Sequence, residues 1–197
     1  MEIHIKDFDN NGTKECVTSM YKSDGINYVF HMKPDLVGQM PILKKRFLRY
    51  IDYAGKPFNE VVTADMLDGA ETHQMNFLAS AVFLNKNGKF VCKQLPVDAQ
   101  LSMVNTILCA DIDNSGVKKI ILGGNFYGFK PEVGRLDANR GLVYQYTKNG
   151  FTYFPAAKSG LNLNGQVRSS VAVKNAAGKN YYLFGVNDEP LKAYELR

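Results

Sequence analysis

Tryptophan is absent from this chain, and cysteine and histidine number only three each. So few cysteines, in an odd number, exclude a disulfide framework. Cys16, Cys92 and Cys109 each sit in an apolar, β-like stretch and read as small core residues. His4, His31 and His73 lack metal-ligand spacing, and a lone strand histidine such as His31 reads as a hydrogen-bonded residue, not a base. There is no Gly-x-Ser-x-Gly elbow, and Gly123-Gly124-Asn125-Phe126-Tyr127-Gly128 lacks the Lys-Ser/Thr that ends a phosphate loop. The sequence therefore reads as that of a non-enzyme. No apolar run approaches the ~20 residues of a membrane span. A charged-then-apolar leader is missing too: Met1 opens directly onto the strand-like Glu2-Ile3-His4-Ile5, and this start in mid-strand predicts a piece of a longer protein.

Charge of one sign is not concentrated. The net charge is +5 and the pI about 9.0, yet the basic residues are scattered except at Lys44-Lys45-Arg46 and Arg49. No nucleic-acid partner is expected, since such binding needs a basic stripe and would be strongly salt-dependent. What the 197 residues do contain is 45% hydrophobic residues, seventeen glycines, eleven tyrosines and twelve phenylalanines. That composition predicts a turn-rich β protein with a sizeable core, in one or two domains.

Two acidic turns stand out, Asp7-Phe8-Asp9-Asn10-Asn11-Gly12 and Asp111-Ile112-Asp113-Asn114-Ser115-Gly116. Each leads into an apolar β-type run. Oxygen-bearing side chains at alternate positions of a tight loop, with glycine in the left-handed conformation, can wrap a hard cation such as Ca²⁺. In the first turn Asp7, Asp9, Asn11, the Thr13 carbonyl and Glu15 form the expected ligand set. In the second, Asp111, Asp113 and Ser115 are followed by Lys119 where the first has Glu15. A lysine there opposes a divalent ion and can stand in for it. Without a metal, the same residues would simply make good hairpin turns.

Strands are expected over residues 3–5, 15–21, 26–32, 75–85, 89–95, 104–110, 119–124, 142–147, 151–154, 167–174, 181–186 and 191–196. Asp24-Gly25, Asn87-Gly88 and Asn149-Gly150 mark hairpins. Residues 77–84 and 119–124 are apolar on both faces, which predicts burial from both sides. Between the early strands, Asp35 is placed to cap a short helical turn. Pro41 suits the start of a helix to about Tyr53, with Leu36, Met40, Leu43, Phe47 and Tyr50 or Ile51 on one face. A second helical stretch is expected over 58–67, with Thr63 as a cap.

The order strand, acidic turn, buried strand, strand, Asn-Gly hairpin, strand recurs. Four antiparallel strands per unit, the middle ones covered on both faces, is how propeller blades stack. The expected fold is all-β: about three propeller-type blades in an incomplete ring, with a small helical insertion. The first blade takes residues 1–33 and 75–96, the insert 34–74, the second blade 97–158 and the third 159–197.

Residues 83–90 (Phe-Leu-Asn-Lys-Asn-Gly-Lys-Phe), 95–100 (Leu-Pro-Val-Asp-Ala-Gln) and 123–128, with Glu132, Gly134, Arg135, Asp137 and the two acidic turns, resemble the C-terminal region of bacterial FG-GAP/VCBS-repeat proteins. These are large cell-envelope or secreted proteins of the Bacteroidetes type that often also carry an ASPIC/UnbV segment. The resemblance spans nearly the whole chain. It implies a non-catalytic β-propeller scaffold for protein or glycan binding at the cell envelope or outside the cell, with Ca²⁺ in the blade turns. This chain departs from the family's pattern at Glu15, Ser115 and Lys119. Because about three blades do not close a ring, either further blades of a longer chain are missing, or two copies complete each other as a homodimer, or the exposed blade edges are protected in another way.

The connection over residues 125–141 is the expected binding region. Phe126, Tyr127 and Phe129 offer an aromatic platform, and Glu132, Arg135 and Asp137 offer hydrogen bonds, a mix suited to sugar or peptide. The alternative is a glycan-processing enzyme with its site in this loop. That reading needs two carboxylates held ~5–9 Å apart.

Overall fold

The computed structural model describes residues 1–197 and divides into two compact units, Met1–Leu78 and Ala79–Arg197. Strands dominate both. They form four antiparallel sheets, two of four strands, one of three and one of two, and no closed barrel or propeller is found among them. No helix is long and apolar enough to cross a membrane.

In the first unit, β1 (Glu2–Lys6) and β2 (Glu15–Tyr21) pair across the first acidic turn, with β3 (Asn27–Val29) beside β2 and β4 (Glu71–Gln74) beside β1. Strand alternation puts His4, Glu15, Val17 and Ser19 on one buried face. Helical turns α1 (Lys33–Gln39), α2 (Leu43–Arg46), α3 (Phe58–Val61) and α4 (Ala64–Leu67) supply the rest of that core. Val17 clusters with Leu36, Met40, Leu43, Phe47, Phe58, Val61 and Val62. The ring of His4 stacks on Phe58 at 4.8 Å, and burial lowers its pKa, so the ring is a packing element at neutral pH. His31 is structural as well: its Nε2 accepts the backbone N–H of Thr18 at 3.0 Å.

The helical insert differs from expectation in detail. Met32, not Asp35, takes the cap position of α1, and Asp35 lies in its first turn. The helix expected from Pro41 to Tyr53 stops after Arg46 and resumes only as a 3₁₀ turn over Tyr50–Asp52. Competing bonds explain the break: Lys33 Nζ takes the Leu48 carbonyl, and Asp52 accepts from both the backbone and the guanidinium of Arg49. Leu36, Met40, Leu43 and Phe47 are buried as expected, but Tyr50 and Ile51 are 66% and 71% exposed. The 58–67 stretch splits at Val62-Thr63, and Thr63 occupies the cap position of α4 without a side-chain bond. Arg46 is tied to the Val61 and Glu60 carbonyls at the end of α3, where the helix dipole favours a cation.

The second unit is built around a sheet of β7 (Val104–Ala110), β8 (Lys119–Gly124), β9 (Leu142–Thr147) and β10 (Gly150–Tyr153), paired in chain order. One face of β8 and β9 places Leu122, Leu142 and Tyr144 against Leu95, Ala99 and Val82. The other places Ile121 and Val143 against Leu161, Leu163, Tyr182, Phe184 and Val186. On the first side Val82 comes from the hairpin of β5 (Ala81–Lys86) and β6 (Lys89–Gln94), Leu95 directly follows β6, and Ala99 lies in the 3₁₀ turn Val97–Gln100. On the other side Tyr182, Phe184 and Val186 come from the sheet of β11 (Val167–Lys174), β12 (Asn180–Val186) and β13 (Lys192–Tyr194), and Leu161 and Leu163 from the loop that precedes β11. Asn87 and Gly88, both at positive φ, turn the first hairpin as its Asn-Gly pair predicts.

Two-sided burial holds for β8 but not for residues 77–84. Phe77 and Leu78 precede the strand and are exposed, and Phe83 is 59% exposed. The β5–β6 hairpin is a two-stranded sheet that packs Val82 inward and carries Phe83 on its opposite face. The first blade was expected to join residues 1–33 to 75–96. In the structure β1 and β2 pair with Glu71–Gln74 and Asn27–Val29, while β5 and β6 pair with each other alone. Of the cysteines, Cys16 is half-buried but Cys92 and Cys109 are exposed rather than in the core.

Phe184 is fully buried between the two larger sheets of the second unit. Replacing it with Ala is expected to cost about 3–5 kcal/mol of that unit's stability, the range for a large ring deleted from a closed core. Urea denaturation followed by tyrosine fluorescence reads the shift.

Candidate functional site

The two acidic turns fold alike. Asp7 accepts the backbone N–H groups of Asn11 and Gly12 at 3.0 and 2.8 Å, and Asp111 accepts those of Ser115 and Gly116 at 3.1 and 2.8 Å. Asn10 and Asn114 are left-handed, with φ of 59° and 56°, a conformation asparagine tolerates. Phe8 and Ile112 are buried at matching positions. Strand register sets Glu15 opposite Lys6 and Lys119 opposite Ala110. Residues 7–15 and 111–119 thus correspond position by position, and they end in opposite charges.

In the second turn the ammonium of Lys119, fully buried, donates to Asp113 Oδ1 at 2.5 Å, Ser115 Oγ at 3.2 Å and the Val117 carbonyl at 3.4 Å. The Phe154 ring lies 5.3 Å from it. These oxygens come from alternate loop residues. Lys119 therefore acts as the turn's own cation. Its hydrogen bond, followed by that from Ser115, holds the Asp113 carboxyl well below the usual carboxylate range.

The corresponding oxygens of the first turn belong to Asp9, Asn11 and Thr13, and a carboxylate replaces the ammonium. Glu15 is 5% exposed, and its Oε2 accepts the Phe8 N–H at 2.7 Å. Asn11 Oδ1 accepts from the Thr13 N–H at 2.7 Å and keeps a second lone pair. Asp9 Oδ1 is buried with no hydrogen-bond partner. One oxygen each from Asp7, Asp9 and Glu15 lie within 4.8 Å of one another. Ca²⁺ takes oxygens at about 2.3–2.6 Å, so ligands on opposite sides stand ~5 Å apart, and this donor set fits one ion.

The 125–141 connection is an ordered tongue. Phe126 and Leu136 exchange two backbone hydrogen bonds at 2.9 Å. Of the expected contact residues, Phe126 and Tyr127 are half-buried, while Phe129, Glu132, Arg135 and Asp137 are exposed. The guanidinium of Arg135 lies over the Tyr127 ring at 5.0 Å, that of Arg168 over Phe126 at 5.7 Å, and Phe129 meets Phe126 edge-on at 4.9 Å. The tongue's rings are thus largely engaged with its own residues.

Sequence reasoning gave no role to Asn125, which anchors the tongue. Its side chain donates to the Asn139 and Gly165 carbonyls at 2.7 and 3.0 Å and accepts from Ser102 Oγ and the Asn139 N–H at 2.8 and 2.9 Å. Every hydrogen-bonding site of the buried carboxamide is used. The preceding Gly124 is required by close approach, since a Cβ there would lie 1.7 Å from the Met103 carbonyl oxygen. The signal in the sequence was an Asn directly after Gly-Gly, while its positive φ of 85° and its partners far along the chain appear only in the structure. No family model, curated protein or solved structure matches the chain.

Because the folded-state pKa of Asp113 is depressed, its stabilising contribution is present above about pH 4, the ordinary carboxylate pKa, and fades as pH falls toward the folded value. Wild-type stability is expected to decline over that acid range, with a shallower decline in Asp113→Asn. Denaturation midpoints collected between neutral and acid pH check this.

Proposed function

We propose that this chain is a non-catalytic, propeller-type β scaffold for protein or glycan binding, in which the first acidic turn takes Ca²⁺ and the second is permanently neutralised by Lys119. The observation that carries the calcium reading is the pairing of two like-folded turns. One holds an ammonium among its oxygens, while the other gathers three carboxylates, one with a buried oxygen left without a partner. Crowded carboxylates repel, and a divalent cation among them turns that repulsion into attraction.

The propeller reading is supported by the second unit. A four-stranded antiparallel meander with its middle strands buried on both faces, between a hairpin and another sheet, is what one blade between two neighbours looks like. This supports reading the chain as a scaffold of the FG-GAP/VCBS type, at the cell envelope or secreted, with further blades supplied by a longer chain or a second copy.

Calorimetry tests the metal. Wild type is expected to bind one Ca²⁺, Asp9→Ala to lose the heat, and Glu15→Lys to become calcium-independent by copying the second turn. At a calcium concentration 100 times Kd the first unit gains about 2.7 kcal/mol of stability. An absence of binding heat in wild type, or undiminished heat in Asp9→Ala, rejects the proposal.

A further inference from the structure

Where the tongue returns to β9, a hollow of about 260 Å³ opens between residues 138–142, the 3₁₀ turn Val97–Gln100 with Leu101, Tyr153 of β10 and Leu161-Asn162. Its walls are fixed. The Leu163 N–H donates to the Arg140 carbonyl at 2.8 Å, the Gly141 N–H to Asn139 Oδ1 at 2.9 Å, and Arg140 Nη1 to Asn164 Oδ1 at 3.2 Å. Gly141 is left-handed, and a Cβ on it would lie 2.7 Å from Leu161, so backbone and loop are in direct contact.

Into this hollow the chain presents one partly exposed aromatic ring, Tyr153 at 44%, together with Asp98, Arg140 and Asn162. Two buried polar atoms outside the lining have no hydrogen-bond partner. They are Asn139 Nδ2, between the wall residues 138 and 140, and the hydroxyl of Tyr144, whose ring lies 5.7 Å from that of Tyr153. Burial first, then Asp98, pushes the Tyr144 hydroxyl up to about 12, so it stays protonated as a donor.

We propose that this hollow at the base of the tongue, and not the aromatic tip of the tongue, is a subsite for one neutral sugar ring of a glycan. The proposal rests on the glycan half of the scaffold reading. A pyranose has an apolar C–H face that suits an aromatic ring, and a rim of adjacent hydroxyls that both donate and accept. Tyr153 meets the first need, and the planar carboxylate, guanidinium and amide of Asp98, Arg140 and Asn162 meet the second. The opposite charges of Asp98 and Arg140 disfavour a strongly anionic or cationic ligand. The volume falls just below the ~300–1,000 Å³ of drug-sized sites, the scale of a single ring. The rings at the tip are engaged by Arg135, Arg168 and Phe129. Asp98 is the one carboxylate of the lining, which therefore lacks the carboxylate pair of most glycoside hydrolases.

The test uses the whole chain, with glucose, galactose, mannose, N-acetylglucosamine and their linear trisaccharides as probes in calorimetry. Wild type is expected to bind at least one of them. Tyr153→Ala and Asp98→Ala are expected to weaken it about tenfold or more, as loss of a central contact does. Tyr153→Phe and Phe129→Ala should retain binding, and melting curves and circular dichroism should show every variant folded. Binding lost in Phe129→Ala but kept in Tyr153→Ala overturns the location and leaves the glycan reading standing. Wild type that binds none of these sugars overturns the subsite and the glycan reading together.

Discussion

A carboxylate-lined turn has to balance its charge, and this constraint governs the ends of both acidic hairpins. The turn backbone is fixed by aspartate oxygens accepting N–H groups from Asn11 and Gly12 in one copy and from Ser115 and Gly116 in the other. That geometry converges further oxygens on one point. In the second unit the chain places the Lys119 ammonium there. In the first it places Glu15, which adds to the charge and leaves Asp9 Oδ1 without a partner. One backbone solution thus appears in two electrostatic states, one neutralised by its own lysine and one in which three carboxylates converge.

Below the turns, packing does the remaining work. β8 and β9 lose water from both faces, which is why Lys119–Gly124 is apolar at nearly every position after its lysine. The same sandwich fixes the start of the 125–141 tongue, since Gly124 lets the backbone approach Met103 and Asn125 fastens the tongue to Ser102, Asn139 and Gly165. Rigidity at the tongue's base, more than the aromatics at its tip, gives this region a defined surface.

Much of this was legible in the chain itself. The acidic turns, the Asn-Gly hairpins, and the strands at 104–110, 119–124, 142–147 and 167–174 follow from turn chemistry and apolar patterning acting locally. The role of Lys119 was also readable, because its spacing from Asp113 and Ser115 matches that of Glu15 from Asp9 and Asn11. Illegible features depend on partners distant in sequence. An apolar run cannot declare whether a second sheet covers it, so residues 77–84 read as buried although Phe77, Leu78 and Phe83 are exposed. Helical periodicity over 41–53 does not register that Lys33 and Asp52 capture the backbone at Leu48 and Arg49. The β2–β3 hairpin was readable from Asp24-Gly25, but the other neighbour of β1 was not, because β4 is a short, polar, exposed strand with a weak pattern of its own.

Amide hydrogen exchange, with and without Ca²⁺, tests the asymmetry of the two turns most directly. The account predicts that calcium slows exchange at Asn11, Gly12 and Thr13 and leaves Ser115, Gly116 and Val117 unchanged, because Lys119 already fills that turn. Equal protection of both turns, or none at the first, would contradict it.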